Sequence, residues 1–367
     1  MGSALTFFLL RAEWRYAWQW NIPVGLLAIV LIGAGQHRLT TLGHEASHYM
    51  LFRNRRLNEL ASDFLSMFPV WSTTHLYRMQ HLAHHQFPND PERDPDVLQM
   101  EASGHRFEFP MPPGRFIWEC VIKQLVWLPG LIRYIRMRAK FAVTGEGSGP
   151  YKMRKTRAKL LVLVGITYLA LLFTATTGLA YWGNPWLLGS APELLWLAAM
   201  AFFGFVPSSY YTWTLIRPEV SSRWTSLGGL SHLTLVAMAI GWLTYGTGEP
   251  WLAYYFVLWI VPLLKSFSFF MILRQIVQHG NAGQERFGNT RIFLISRLIR
   301  FAVFPLGMDY HLPHHLFPLV PHFRLPALHD LLFETAEYRQ NSRIVEGYFF
   351  HRHPPRHATV LEVMAGA

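Results

Sequence analysis

The chain has 367 residues, of which 51% are hydrophobic, 15% aromatic and only 15% charged, with a mean hydropathy of +0.17. That balance is too apolar for an ordinary soluble enzyme and points to a membrane protein. Lysine and arginine outnumber aspartate and glutamate by 33 to 22, but the excess gathers near the ends of apolar segments rather than among base-stacking aromatics, which argues against nucleic acid as a partner.

In chain order, residues 18–35 hold the run Val24 to Ile32 and predict a first span. About 120 residues then follow with proline and charge throughout and no run long enough to cross a bilayer, which needs roughly 20 apolar residues. Two apolar stretches inside this segment, Leu60 to Trp71 and Phe116 to Ile135, are short or interrupted and read as helices lying in the interface. A Gly-rich loop over 144–150 closes the segment. Further spans are predicted at 158–182, 193–216, 227–247 and 250–273.

Arg133, Arg136, Arg138 and Lys140, then Lys152, Arg154, Lys155, Arg157 and Lys159, precede the second span and mark that side as cytoplasmic. The expected fold is an all-α integral membrane protein, with four to five transmembrane helices under a cytoplasmic helical cap. The chain reads as one unit over 1–367: a first span at 18–35, a cytoplasmic segment at 36–157, a helical anchor at 158–273 and a second cytoplasmic segment at 274–367.

The chemistry lies in histidine clusters. His44-Glu-Ala-Ser-His48 and His81-Leu-Ala-His84-His85 fall in the first polar segment, and His279 and His311-Leu-Pro-His314-His315 in the last. The spacings i, i+3 and i+4 present imidazoles on one side of a helix. With 18 histidines in the chain, a given H-x-x-H-H should arise by chance only about 0.05 times, so two copies are not coincidence. All of these groups fall on one side of the membrane if the spans alternate.

Nine imidazoles exceed the four to six donors that one first-row ion takes, so the count implies two ions with positions left open. Iron suits an all-nitrogen shell with open positions, whereas structural zinc needs only four closed ligands. Glu45, Asp90, Asp94, Asp96 and Asp309 are candidates to accept the other ring N–H of a metal-bound histidine. No separate catalytic acid or base is assigned. Cys120 is the one cysteine, so the chain cannot hold an iron–sulfur cluster by itself and electrons must come from elsewhere.

These boxes, their order and the run His84-His85-Gln-Phe-Pro-Asn-Asp90-Pro resemble the membrane fatty acid desaturase and hydroxylase superfamily. The resemblance covers most of the chain. It implies a non-haem di-iron centre that uses molecular oxygen and two electrons on an unactivated C–H bond of a fatty acyl chain. It places His44 and His48 in the first box, His81, His84 and His85 in the second, His311, His314 and His315 in the third, and His279 as the isolated ligand. The His-Pro-Gly-Gly motif of a fused cytochrome b5 is missing, so a separate ferredoxin, rubredoxin or cytochrome with its reductase is implied.

Glu45 inside the first box resembles the branch with hydroxylases and sphingolipid enzymes, which leaves open whether the product is a double bond, an alcohol or, as in a related branch, a terminal alkene. A different class also matches. His44-Glu-Ala-Ser-His48 fits H-E-x-x-H, the zinc protease motif, although that site would leave seven clustered histidines unused.

Overall fold

The computed structural model describes residues 18–144, 157–211, 214–351 and 356–366. The loop and basic stretch expected over 145–156 lie outside the described residues. Five described helices are long and apolar enough to cross a membrane. We name them, with the other elements used below, in chain order: α1 (Trp18–Ser47), α2 (Arg55–Ser62), α3 (Thr74–Gln86), α4 (Pro95–Ser103), α5 (Leu128–Thr144), α6 (Ala158–Trp182), α7 (Pro185–Phe205) and α8 (Ser222–Thr247). Then come α9 (Trp251–His279), β1 (Ile292–Leu294), α10 (Arg297–Ala302), α11 (His311–Leu316), α12 (Leu325–Phe333), β2 (Ile344–Glu346) and α13 (Val360–Met364). The spans are α1, α6, α7, α8 and α9.

The predicted span at 158–182 coincides with α6. The one predicted at 193–216 instead runs from Pro185 to Phe205. Asn184 sets its start, accepting from the Leu187 N–H at 3.1 Å, with Pro185 at the first helical position, where its missing N–H costs nothing. Pro207 sets its end, because the residue before a proline is pushed out of the helical region; Val206 is extended at ψ 139°. Gly183, at φ +81°, turns the chain between α6 and α7.

Helices α6, α7 and α8 pack on one another through Leu161, Leu172, Phe203 and Leu227. The Tyr168 and Thr234 hydroxyls meet at 2.6 Å inside this bundle. The opposite faces leave Leu163, Ile166, Leu171 and Leu235 more than half exposed, the pattern of helices whose solvent on that side is lipid.

Helix α1 is longer than the 18–35 expected, and its extension carries the first box. It lies against α9 where α9 widens into π turns at Phe256–Ile260 and Leu263–Phe267. The Ser266 hydroxyl there donates to Ile29 O at 2.6 Å. Gly33 allows this approach, since a Cβ would sit 2.0 Å from Ser266 Oγ and 2.7 Å from Phe267 N. The stretch 60–71 is helical but short, continuing α2 through a π turn at Asp63–Met67 and a 3-10 turn at Phe68–Val70.

Beyond α9 the chain folds into a cap. Strands β1 and β2 pair in parallel, with Ile292 opposite Ile344. Their residues join Phe116, Tyr134, Ile272, Phe304 and Met364 in a buried core that fastens the cap to α5 and α9. The ends of α1, α3, α9 and α11 converge beside it.

Candidate metal centre

His44 lies in the last turn of α1 and His48 one residue past its end; Tyr49, at φ 62°, breaks the helix there. Helix α3 carries His81, His84 and His85, α9 ends at His279, and α11 carries His311, His314 and His315. Pro313 is tolerated because it falls in the first turn of α11.

All nine histidines come together in two groups: His44, His48, His81, His85 and His314 in one, and His84, His279, His311 and His315 in the other. Within each group one ring nitrogen per residue lies within 4.8 Å of all the others. Each H-x-x-H-H box is therefore divided rather than aimed at one point. At 100° per residue, positions i and i+4 are only 40° apart, while i+3 and i+4 diverge by 100°. His81 and His85 accordingly serve the first group and His84 the second. His311 and His315 serve the second and His314 the first.

Ring nitrogens crowd together within each group. His85 Nε2 lies 2.9 Å from His81 Nε2 and 3.0 Å from His314 Nε2. His311 Nε2 lies 3.0 Å from His279 Nε2 and 3.2 Å from His315 Nε2. His44 Nε2 and His48 Nε2 are buried with no hydrogen-bond partner. Burial, and then the neighbouring imidazoles, push His81, His85, His311, His314 and His315 well below the ordinary histidine range. The same causes bring His48 down to about 3. These rings are neutral at pH 7, with lone pairs converging on two points, which is the donor set that two first-row cations fit.

The outward nitrogens of two ligands are fixed. His84 Nδ1 donates to Asp94, with its two oxygens at 2.9 and 3.0 Å. Burial opposes a charge on His84, but Asp94 with Asp96 outweighs it and pushes the imidazole up to about 9. Asp94 is itself held by the Asn89 and Asp96 backbone N–H groups at 2.8 and 2.9 Å. His279 Nδ1 donates to Asn289 O at 3.1 Å, leaving Nε2 for the site.

Among the carboxylates expected behind box histidines, Asp94 is the one that accepts from a box ring nitrogen at hydrogen-bond distance. Glu45 accepts from His322, through its backbone N and Nδ1, both at 3.0 Å, and lies 3.6 Å from His44 Nδ1. Asp96 stands 4.0 Å from His84 Nδ1, beyond hydrogen-bond reach. Two expectations are corrected. Asp90 turns back onto Arg93 (Nε at 2.8 Å) instead of a box histidine. Asp309 pairs with Arg300 of α10 at 2.8 Å instead of a box histidine. Sequence reasoning also missed His322, 277 residues from Glu45, and Asn289, which acts through its backbone carbonyl and so carries no side-chain signal.

Outside the boxes, His37 contacts Ala302 O at 2.8 Å and His75 contacts the Thr214 hydroxyl at 2.9 Å; neither joins a group. A cavity of about 1030 Å³ opens behind the second group, bordered by His84, Asp94, Asp96, Gln275 and His279.

Asp94→Asn keeps the helix cap and the side-chain volume but removes the carboxylate behind His84. Metal affinity is expected to fall roughly 10- to 100-fold, read as metal retained after a timed chelator challenge. Unchanged retention would show that Asp94 serves only as the α4 cap.

A five-span helical membrane protein whose cap gathers nine histidines in two groups defines a class of membrane-bound metal-site proteins. The family model described as fatty acid desaturase matches residues 20–215 and 215–346, and the chain belongs to that family. It is 32% identical over 128 residues to the dihydrorhizobitoxine desaturase of Bradyrhizobium elkanii, across 35% of this chain and 32% of that protein. It is 27% identical over 107 residues to the Delta 8-(E)-sphingolipid desaturase of Emericella nidulans, across 29% and 18% of the two chains. A third match, fatty acid desaturase 3 of Bos taurus, is 34% identical over 71 residues, 19% and 16% of the two chains. The matched segments thus span about a third or less of these relatives' own length.

Proposed function

We propose that this protein is an oxygen-dependent, di-iron oxidoreductase that desaturates a fatty acyl chain at the membrane. The observation that carries this reading is the five-plus-four convergence of imidazoles in a chain of the fatty acid desaturase family. The relatives' names support it, since all three are called desaturases. In this reading His44, His48, His81, His85 and His314 hold one iron and His84, His279, His311 and His315 the other. The bound iron supplies the chemistry that the side chains lack, activation of oxygen with electrons from outside the chain.

The residues themselves orient and exclude. Asp94 keeps the remaining proton of His84 on Nδ1, and Asn289 O does the same for His279, so both Nε2 atoms stay free for metal. Tyr77 stacks on His81, with ring centroids 5.4 Å apart, and walls the first group from water. The electrons come from a separate ferredoxin, rubredoxin or cytochrome. The basic residues within and after α5 support a cytoplasmic cap under the positive-inside rule. The H-E-x-x-H protease reading needs Glu45 free as a base, whereas its carboxylate is engaged by His322.

The test is mass-spectrometric profiling of lipids and volatile products from cells that express the chain with a working electron donor, beside a His315→Ala control. A new unsaturated lipid found only with the intact chain is the expected result, and a hydroxylated lipid or terminal alkene would replace desaturation by the corresponding outcome. No product, together with one bound zinc and no iron, would overturn the reading.

A further inference from the structure

Arg274 is used by none of the contacts above. It lies on α9 five residues before His279, and its side chain is 7% exposed. Among the described residues its guanidinium donates to one acceptor, the Met271 sulfur at 3.4 Å, and its Nε is buried without a partner. A thioether is a weak acceptor. A buried cation so poorly matched is costly unless an anion completes it.

One further cation stands near it, Arg138. The charged and phenolic groups around it are Tyr77, Asp96, Tyr134 and Arg138. Arg138, on α5, donates to the Tyr134 hydroxyl at 3.2 Å, which in turn donates to Gln275 Oε1 at 2.8 Å. Asp96, the one carboxylate among these groups, is 37% exposed and makes no ion pair with either guanidinium among the described residues. Arg274 is also a charge neighbour of His44 in the first group and of His84 and His311 in the second. It therefore lies beside the histidine groups and not at the surface.

We propose that Arg274, with Arg138 and Tyr77 beside it, binds the carboxylate of a free fatty acid, so that the carbons nearest the carboxylate, and not the middle of the chain, lie against the histidine groups. The proposal rests on the lipid-oxidation reading. A planar guanidinium fork matches a carboxylate with two parallel hydrogen bonds. A thioester or glycerol ester would bring a neutral carbonyl to the same place and leave the cation unmatched. Oxidation near the head needs only the reactants already named. Two hydrogens leave adjacent carbons with two electrons, the donor protein supplies two more, and O2 takes up all four with two solvent protons to leave as two waters.

The experiment measures binding of radiolabelled dodecanoate and methyl dodecanoate to the full chain purified in detergent. The wild-type chain is expected to bind the acid at least about tenfold more tightly than the ester. Arg274→Gln is expected to weaken acid binding roughly 10- to 100-fold and to leave ester binding unchanged, which also reports that the variant is folded. Equal binding of acid and ester by the wild type, or an acid preference that survives in Arg274→Gln, would overturn the site. If Arg274→Gln binds neither probe, Arg274→Lys decides: a retained acid preference supports the site and a lost one overturns it. Binding is read without turnover, so these outcomes stand apart from the function itself. An esterified lipid oxidised in mid-chain would overturn the carboxylate site and leave the lipid-oxidation reading intact.

Discussion

His85→Ala is expected to lower turnover on the order of a thousandfold or more, about 4 kcal/mol of barrier, and to reduce the iron from about two per chain toward one or none. The reason is position. His85 Nε2 faces two other ring nitrogens of the first group at 2.9 and 3.0 Å, while its ring stacks on His315 of the second group at 4.3 Å and 26°. Its removal takes a donor from one ion and a wall from the other. Helix α3 should survive, because Thr73 caps its start by accepting from Leu76 N, a contact that the substitution leaves alone. His75→Ala is the matched control. His75 sits on the same helix but bonds to Thr214 outside both groups, and its loss should leave the iron content unchanged. Elemental analysis of the purified variants, beside their product profiles, reads both effects. Full iron and full turnover in His85→Ala would remove His85 from the ligand set.

The histidine ligand candidates were legible because their spacing encodes helix geometry directly. Their division into two groups was not read, although the 100° between i+3 and i+4 already contains it. Where several residues of one type compete, backbone shape decided what composition could not. Asp90 and Asp94 sit in the same acidic stretch, yet Asn89 at φ 63° reverses the chain so that Asp94 returns to His84, while Asp90 meets Arg93. Asparagine enters that left-handed region more easily than most residues. The span ends were legible wherever proline and asparagine punctuate them, and the prediction at 193–216 failed by reading apolarity through Pro207. The contact of Glu45 with His322, 277 residues away, leaves no periodic trace, and His279 meets Asn289 through a backbone carbonyl, which no side-chain pattern marks. Arg274 was visible only as a basic residue near a span end, and its lack of an acceptor is a property of the fold.

Arg78→Met is expected to be among the most destabilising single changes, at about 3–5 kcal/mol, and to empty the centre without touching a histidine. Arg78 and Glu59 are both fully buried and meet at 2.6 Å. The same guanidinium donates from Nε to Ser47 O at 3.0 Å and from Nη2 to Ala46 O at 3.2 Å, and lies 4.2 Å from the centre of the Tyr49 ring. Ala46 and Ser47 stand between His44 and His48, where the last carbonyls of α1 lack helical partners. Arg78 thus ties the end of the first box to the helix that carries the second. Methionine fills much of the volume but strands Glu59 as a buried charge and frees Ser47 O, while Ala46 O keeps the Asn58 amide at 2.9 Å. Adding Glu59→Gln removes the stranded charge, so the double variant should recover part of the stability. It should not recover the iron, because the link from α3 to Ser47 O, beside His48, remains broken. Arg78→Lys restores charge without the planar fork and should fall between. Thermal midpoints in detergent and iron per chain across the three variants separate the two contributions. A double variant with full iron would mean that charge burial alone, and not the tether to α1, is what Arg78 provides.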